Sequence, residues 1–236
     1  MRVAVLTTDT PHHAYFVRAI AAAFPLAGVV VETATCPAPF ETAAAFERDR
    51  DDYERSVLLG DWTGHLEDIA DTRRVASIND ADGRTVLAAL APDVSLVFGT
   101  GRLRAPALAA ATIACLNLHG GNPEEYRGLD THLWAIYHRD FDNLVTTLHH
   151  VDLGLDTGAI VAPAQLPVHR TIRIHELRAI NSRACVALAL MALRTLEAAG
   201  TVPSRRQVRR GRYYSFMPTA LKEACARAFH AHVGSL

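Results

Sequence analysis

Apolar positions along the chain switch between two periods. A short run rich in β-branched residues, 3–7, breaks at Thr7-Thr8-Asp9-Thr10-Pro11, and from His13 onward Phe16, Ile20, Ala23 and Phe24 recur at helical spacing. Residues 27–32 read as a second buried strand, so the chain opens as strand, helix, strand, which implies a right-handed parallel crossover. Residues 86–91 predict a helix, and Pro92-Asp93 opens a strand over 94–98 that stops at Gly99-Thr100-Gly101. Another strand, 113–118, runs straight into His119-Gly120-Gly121. A helix is expected over 131–139, then strands over 144–151 and 159–168 around the turn-rich segment 152–158. Residues 171–199 predict a long helix with Leu177, Ile180, Ala184, Leu188 and Met191 on its buried stripe, stopped by Gly200.

Strands alternating with helices predict an α/β fold: an open, mostly parallel, Rossmann-like sheet with helices on both faces. One catalytic domain over residues 1–200 and a short C-terminal extension over 201–236 are the expected organisation. Two charged tracts modify this picture little. Glu47-Arg48-Asp49-Arg50-Asp51-Asp52 with Glu54-Arg55 reads as a solvated helix face, and the basic run Arg205 to Arg212 as a solvated connection into a strand over 213–216.

Across 236 residues half are hydrophobic, 21% are charged and the formal net charge is −1, which excludes a disordered or nucleic-acid-coating chain. Cys36, Cys115, Cys185 and Cys225 form no C-x-x-C pair and mostly lie among apolar neighbours, as expected of reduced thiols in a cytoplasmic protein. The amino-terminal apolar run is too short for a signal peptide, and no membrane span is expected.

In open parallel sheets ligands bind beyond the carboxyl ends of the strands. Three segments occupy that position: Gly99-Thr100-Gly101-Arg102, Asn117-x-His119-Gly120-Gly121 and Asp152-x-x-x-Asp156-x-Gly158. The loop after the first strand lacks G-x-G-x-x-G, and no P-loop occurs, so neither a nicotinamide cofactor nor a P-loop phosphate site is expected. Asn117 and His119 are one residue apart, so in an extended segment both side chains face one side. That pair suits acyl transfer, with the Asn amide stabilising an oxyanion, the imidazole handling a proton, and Asp156 orienting or charging the imidazole. No Ser or Cys stands beside them, so the nucleophile is expected to arrive with the substrate. Each of the three has a bland alternative as a cap or a satisfied core group, and it is their joint spacing after strands that favours chemistry. His149-His150 point to opposite faces of a strand, so no metal is expected there.

The segments Asn117-Leu118-His119, Tyr126-Arg127-Gly128, Trp134-Ala135-Ile136 and Val151-Asp152-x-Gly154-Leu155-Asp156-Thr157-Gly158 resemble the folate-dependent formyltransferases over roughly residues 75–200. This family includes the glycinamide ribonucleotide, methionyl-tRNA and sugar N-formyltransferases. The resemblance implies that Asn117, His119 and Asp156 are the catalytic trio, with protonated His119 and Asn117 stabilising the oxyanion. It also implies that 10-formyltetrahydrofolate is the co-substrate, its pterin lying between Gly99, Gly101, Arg102 and Leu103 on one side and Val151, Asp152 and Gly154 on the other. The amine acceptor is expected near Thr8, His12, His13, Gly120, Gly121, Tyr126 and Arg127.

One departure concerns that acceptor side: the family places a proline five residues after the catalytic His, whereas Pro123 follows His119 by four. The first loop lacks the phosphate loop of glycinamide ribonucleotide enzymes, and only a short segment follows Gly200, where the tRNA enzyme carries an RNA-binding domain. A small-molecule amine is therefore expected, such as an amino sugar on a nucleotide or a specialised-metabolite intermediate. Nucleic acid is not expected as a partner, and a homodimer is compatible with the sequence. The competing readings are a noncatalytic folate- or nucleotide-binding module and a glycinamide ribonucleotide-type enzyme.

Overall fold

The computed structural model describes residues 1–34 and 37–236; Cys36 lies outside the described residues. The chain runs β1 (Val3–Thr7), α1 (Pro11–Ala21), β2 (Leu26–Glu32), the short helices α2 (Ala45–Arg48) and α3 (Arg50–Glu54), and a wide helical turn over Arg55–Leu59. There follow β3 (Thr72–Val75), α4 (Ala81–Leu90), β4 (Val94–Phe98), α5 (Ala105–Leu108), β5 (Ala114–His119), β6 (Tyr126–Gly128) and α6 (Thr131–Tyr137). The last elements are β7 (Val145–His150), β8 (Ile160–Gln165), α7 (Leu177–Ala199), β9 (Arg212–Tyr214) and α8 (Thr219–Ser235).

Among the described residues seven strands form one sheet in the order β3-β2-β1-β4-β5-β7-β8. The first five in that order are parallel, and β7 and β8 turn antiparallel. Helices cover both faces, because successive side chains of a strand leave it on opposite sides. Val3 and Val5 of β1 join Phe16 and Ile20 of α1 and Leu193 of α7 on one face. Ala4 and Leu6 join Leu87 of α4 and Ala107 of α5 on the other. A third cluster, including Ile136, Phe229 and Val233, packs α8 on α6. β1 and β4 are neighbours from which the chain winds outward in opposite directions, and their ends Thr7 and Phe98 are in register. The loops leaving β1 and β4 therefore diverge around a crevice.

Several elements depart from the sequence expectation for identifiable reasons. β3, with the sequence Thr-Arg-Arg-Val, was not expected; it lies at the sheet edge with both arginines exposed, so it carries no apolar alternation. The charged tract is broken into α2, α3 and a wide turn, and it is not simply a solvated face. Glu54 is fully buried because Arg178 donates to both of its carboxylate oxygens. The long helix starts at Leu177, preceded by a tight turn over Ile174–Glu176. Leu177 and Leu188 of the expected stripe are buried, together with Ala179, Ser182, Cys185, Ala189 and Leu193, while Met191 is 38% exposed. Small residues let the helix approach the sheet closely, and their weak hydrophobicity leaves that part of the buried face unmarked in the apolar pattern. Gly200 ends it with φ +72°, as a left-handed C-terminal residue should.

Candidate active site

The centre of the site stands on the end of β5, where Asn117 and His119 project from one side of the strand. The chain then turns through Gly120 and Gly121 into β6, and this turn brings the Tyr126 carbonyl 2.8 Å from His119 Nε2. A carbonyl only accepts, so Nε2 carries the hydrogen and Nδ1 is the titrating atom. Nδ1 lies 3.6 Å from Asp156 Oδ2. Burial pulls the His119 pKa below its ordinary value, partly offset by the Asp156 charge, so the imidazole rests neutral.

Asp156 reaches this point from the loop between β7 and β8, where its backbone takes a left-handed φ of +52° that aspartate tolerates. Its Oδ2 accepts from Gly128 N at 2.9 Å. Burial alone would raise its pKa, but the attraction of His119 and His149 when they carry charge, with the Gly128 N–H, outweighs burial and holds the carboxyl far below the usual range. The three residues singled out by spacing thus converge on one point.

A fourth group, His149, joins them. The antiparallel pairing of β7 with β5 sets His149 opposite Asn117. Its Nδ1–H donates to the His150 carbonyl at 2.8 Å, and its Nε2 accepts from Asn117 Nδ2 at 3.1 Å. This fixes the amide, and among the described residues the second N–H has no partner. The same Nε2 lies 3.6 Å from Asp156 Oδ1. Along the sequence His149 stands out only as half of an unsuitable metal pair; its register with Asn117 exists only in the folded sheet.

Three cavities meet here. A narrow slot lies between Val97 to Leu103 and His149 to Asp156, and Gly101, Arg102, Leu103, Val151, Asp152 and Gly154 line it beside Asn117. It shares Gly101, Arg102, Asn117 and Asp156 with a cavity of about 560 Å³ that His12, His13, Arg50, Gly99, Gly120 and Arg178 also line. A larger cavity of about 1230 Å³ lies across the loop after β4, bounded by Thr8, Glu32, Asn79, Gly99, Arg102 and Arg104.

The apolar walls of the slot, Val97, Leu103, Val151 and Leu155, with polar groups at one end, suit a flat heterocycle with hydrogen-bonding edges. Among the described residues no cluster of potential metal ligands occurs.

His12 and His13 are buried in the cavity wall, and burial lowers both pKa values. Tyr126 and Arg127 are engaged away from the cavities. Tyr126 donates its hydroxyl to Asp140, while Arg127 donates to the Gly211 and Leu155 carbonyls. Gly121 lies behind the site, its carbonyl accepting from Thr147.

The basic C-terminal run is the solvated connection expected, with Arg205, Arg206, Arg209 and Arg210 exposed, yet it is also anchored. Arg205 pairs with Glu124 and Arg209 with Glu125, and Gln207 Nε2 donates to the carbonyls of Asp156 and Gly158, each at 2.9 Å. The segment beyond Gly200 thereby returns to the loop bearing Asp156, a contact no local sequence signal announced.

The sequence pattern described as formyl transferase matches residues 1–183. The chain belongs to the formyl transferase family. A methionyl-tRNA formyltransferase from Synechococcus sp. (strain JA-3-3Ab) is 38% identical over 90 residues, covering 38% of this chain and 28% of that relative. The alignments with such curated relatives thus span about a quarter of their length.

Among solved structures, a sugar N-formyltransferase from Shewanella sp. FDAARGOS_354 superposes with a TM-score of 0.63 at 11% identity, covering 97% of this chain and 87% of that one. The formyltransferase PseJ from Anoxybacillus kamchatkensis, in complex with UDP-4,6-dideoxy-4-formamido-L-AltNAc and tetrahydrofolate, gives 0.52 at 14% identity, covering 90% and 85%. At such identities these likenesses establish the fold of this family member, a mostly parallel sheet wrapped by helices.

Proposed function

We propose that this formyltransferase moves the formyl group of 10-formyltetrahydrofolate to the amine of a small-molecule acceptor, with Asn117, His119 and Asp156 as catalytic residues. The observation that carries the reading is the state of His119. Its Nε2–H is committed to the Tyr126 carbonyl and its buried, neutral Nδ1 faces Asp156, beside the free N–H of Asn117.

A neutral imidazole can take the proton an attacking amine must lose, Asp156 then stabilises the imidazolium, and that proton passes to the folate's N10 as the tetrahedral intermediate collapses and the N10–formyl bond breaks. Asn117 Nδ2 donates its second hydrogen to the oxyanion developing on the formyl oxygen. Gly99, Gly101, Arg102 and Leu103 would hold the pterin from one side, and Val151, Asp152 and Gly154 from the other, largely through backbone groups. The folate supplies an activated formyl carbon, and every proton movement above belongs to the protein.

The acceptor occupies the larger cavities, against Thr8, His12, His13 and Gly120. Arg102 and Arg104 rim the larger one, and among the described residues neither guanidinium has an ion-pair partner, which suits an acceptor whose amine is carried on an anionic group such as a nucleotide.

The test supplies purified protein with 10-formyltetrahydrofolate and a panel of nucleotide-linked amino sugars, amino acids and methionyl-tRNA. Tetrahydrofolate release and the mass of the formylated product are followed. Release is expected with one class of small amine, and Asn117→Ala should lower it about 10²–10³-fold. Failure to bind tetrahydrofolate, or full activity in Asn117→Ala, would overturn the proposal.

A further inference from the structure

We infer that Glu32 and Asn79 are positioning residues that clamp the backbone of the loop after β4 into the shape that receives the folate. This rests on the reading of Gly99 to Leu103 as the donor loop. Neither residue belongs to the segments that carry the family resemblance, and neither borders the pterin slot.

Glu32 ends β2, where an acidic side chain in a nucleotide-binding α/β sheet ordinarily faces a ribose. Here its carboxylate is turned onto the protein. One oxygen accepts from Ser77 Oγ at 3.0 Å and Ile78 N at 3.1 Å, and the other accepts from Gly101 N at 2.6 Å. Asn79, two residues beyond Ser77, completes the hold. Its Nδ2 donates to the Arg102 carbonyl at 3.0 Å, and its Oδ1 accepts from Arg104 N at 2.7 Å.

Backbone groups of three residues within four positions, 101, 102 and 104, are thus tied to partners 23 to 69 residues away. The loop needs such ties. It has no regular secondary structure, and its glycines at 99 and 101 leave many backbone conformations open. Gly101 also sits close enough to Glu32 that an added Cβ would lie 3.2 Å from the carboxylate. Arg102 and Leu103 line the pterin slot, so their placement follows from bonds made to the loop's backbone on the opposite side. A charge-assisted bond from a buried carboxylate is among the stronger ways of fixing one N–H.

Two isosteric variants test this without opening a cavity. Glu32→Gln leaves one acceptor oxygen, so either Gly101 N or the Ser77 and Ile78 donors meet an amide NH₂. Asn79→Asp sets a carboxylate oxygen against the Arg102 carbonyl. Each is expected to weaken tetrahydrofolate binding, measured by calorimetry, about ten-fold. The double variant should lose less than the product of the two, because both act on one loop. The unfolding temperature should stay within a few degrees of wild type. With the acceptor identified by the panel, donor KM should rise more than acceptor KM.

Wild-type affinity in both folded variants would overturn the inference, as would a loss of affinity that merely tracks a loss of thermal stability. Tight binding by wild type keeps these results separate from the functional proposal. A wild-type protein that fails to bind tetrahydrofolate overturns that proposal and the clamp with it.

Discussion

Replacing Asp156 by Asn tests the proposed chemistry most sharply, because it removes one charge and almost no volume. Oδ2 of Asp156 lies 3.6 Å from His119 Nδ1, and both side chains are over nine-tenths buried. At an effective dielectric of ~20, unit charges at that separation attract by roughly 4–5 kcal/mol. That attraction exists only once His119 has taken a proton, so it stabilises the charged stage of the reaction and not the resting enzyme. The Asn side chain can still accept from Gly128 N and returns part of the loss as a dipole, so turnover should fall about 10²–10³-fold.

The assay is single-turnover tetrahydrofolate release at saturating donor and acceptor, with the unfolding midpoint measured alongside. Without the carboxylate the His119 pKa drops further, so the acid limb of the rate profile should move to lower pH. An Asp156→Asn protein that folds normally and turns over within ten-fold of wild type would refute the assignment.

Gln207→Ala removes both donors to the Asp156 and Gly158 carbonyls, and should lower turnover by about ten-fold with little change in thermal stability, read from kcat beside calorimetric unfolding. Gly99→Ala should destabilise by about 1–3 kcal/mol in urea titration, because φ is +88° there and a Cβ would meet the buried His13 ring. Burial holds His12, His13 and His119 below the ordinary histidine value and pushes His132 down to about 4. The unfolded chain therefore binds more protons than the fold below about pH 6.5, so stability is lost as pH falls from there toward the folded values. For the half-buried His132 alone this should amount to about 1–3 kcal/mol between pH 6.5 and 4, seen as a falling urea midpoint.

The strands β1, β2, β4, β5 and β8 were legible as largely apolar runs near Gly, Pro or Asp, the pattern that burial in a sheet imposes, and β7 by its β-branched residues before the turn-rich segment. β3 was not, since an exposed edge strand needs no apolar alternation. Asn117 and His119 could be read as a pair because a strand's period of two puts them on one side. Tyr126 and Arg127 were read as acceptor contacts from the same segments, yet their side chains turn to Asp140 and Gly211. A motif carries residue types and not the direction in which each points.

By itself the sequence determined the alternation of strand and helix, and with it the end of the sheet at which a site forms, because local periodicity follows from backbone geometry. It also determined Asn117, His119 and Asp156 as a set, through their spacing and family resemblance. The tertiary structure alone decided which atoms are free to act. β7 running antiparallel to β5 puts His149 against Asn117, and a turn brings the Tyr126 carbonyl to His119. Gln207 returns from the C-terminal segment to the Asp156 loop, and Glu32 reaches Gly101 across 69 residues. Hydrogen bonds of this kind act through space over a few ångströms, so no pattern along the chain can specify them until the sheet has set the distances.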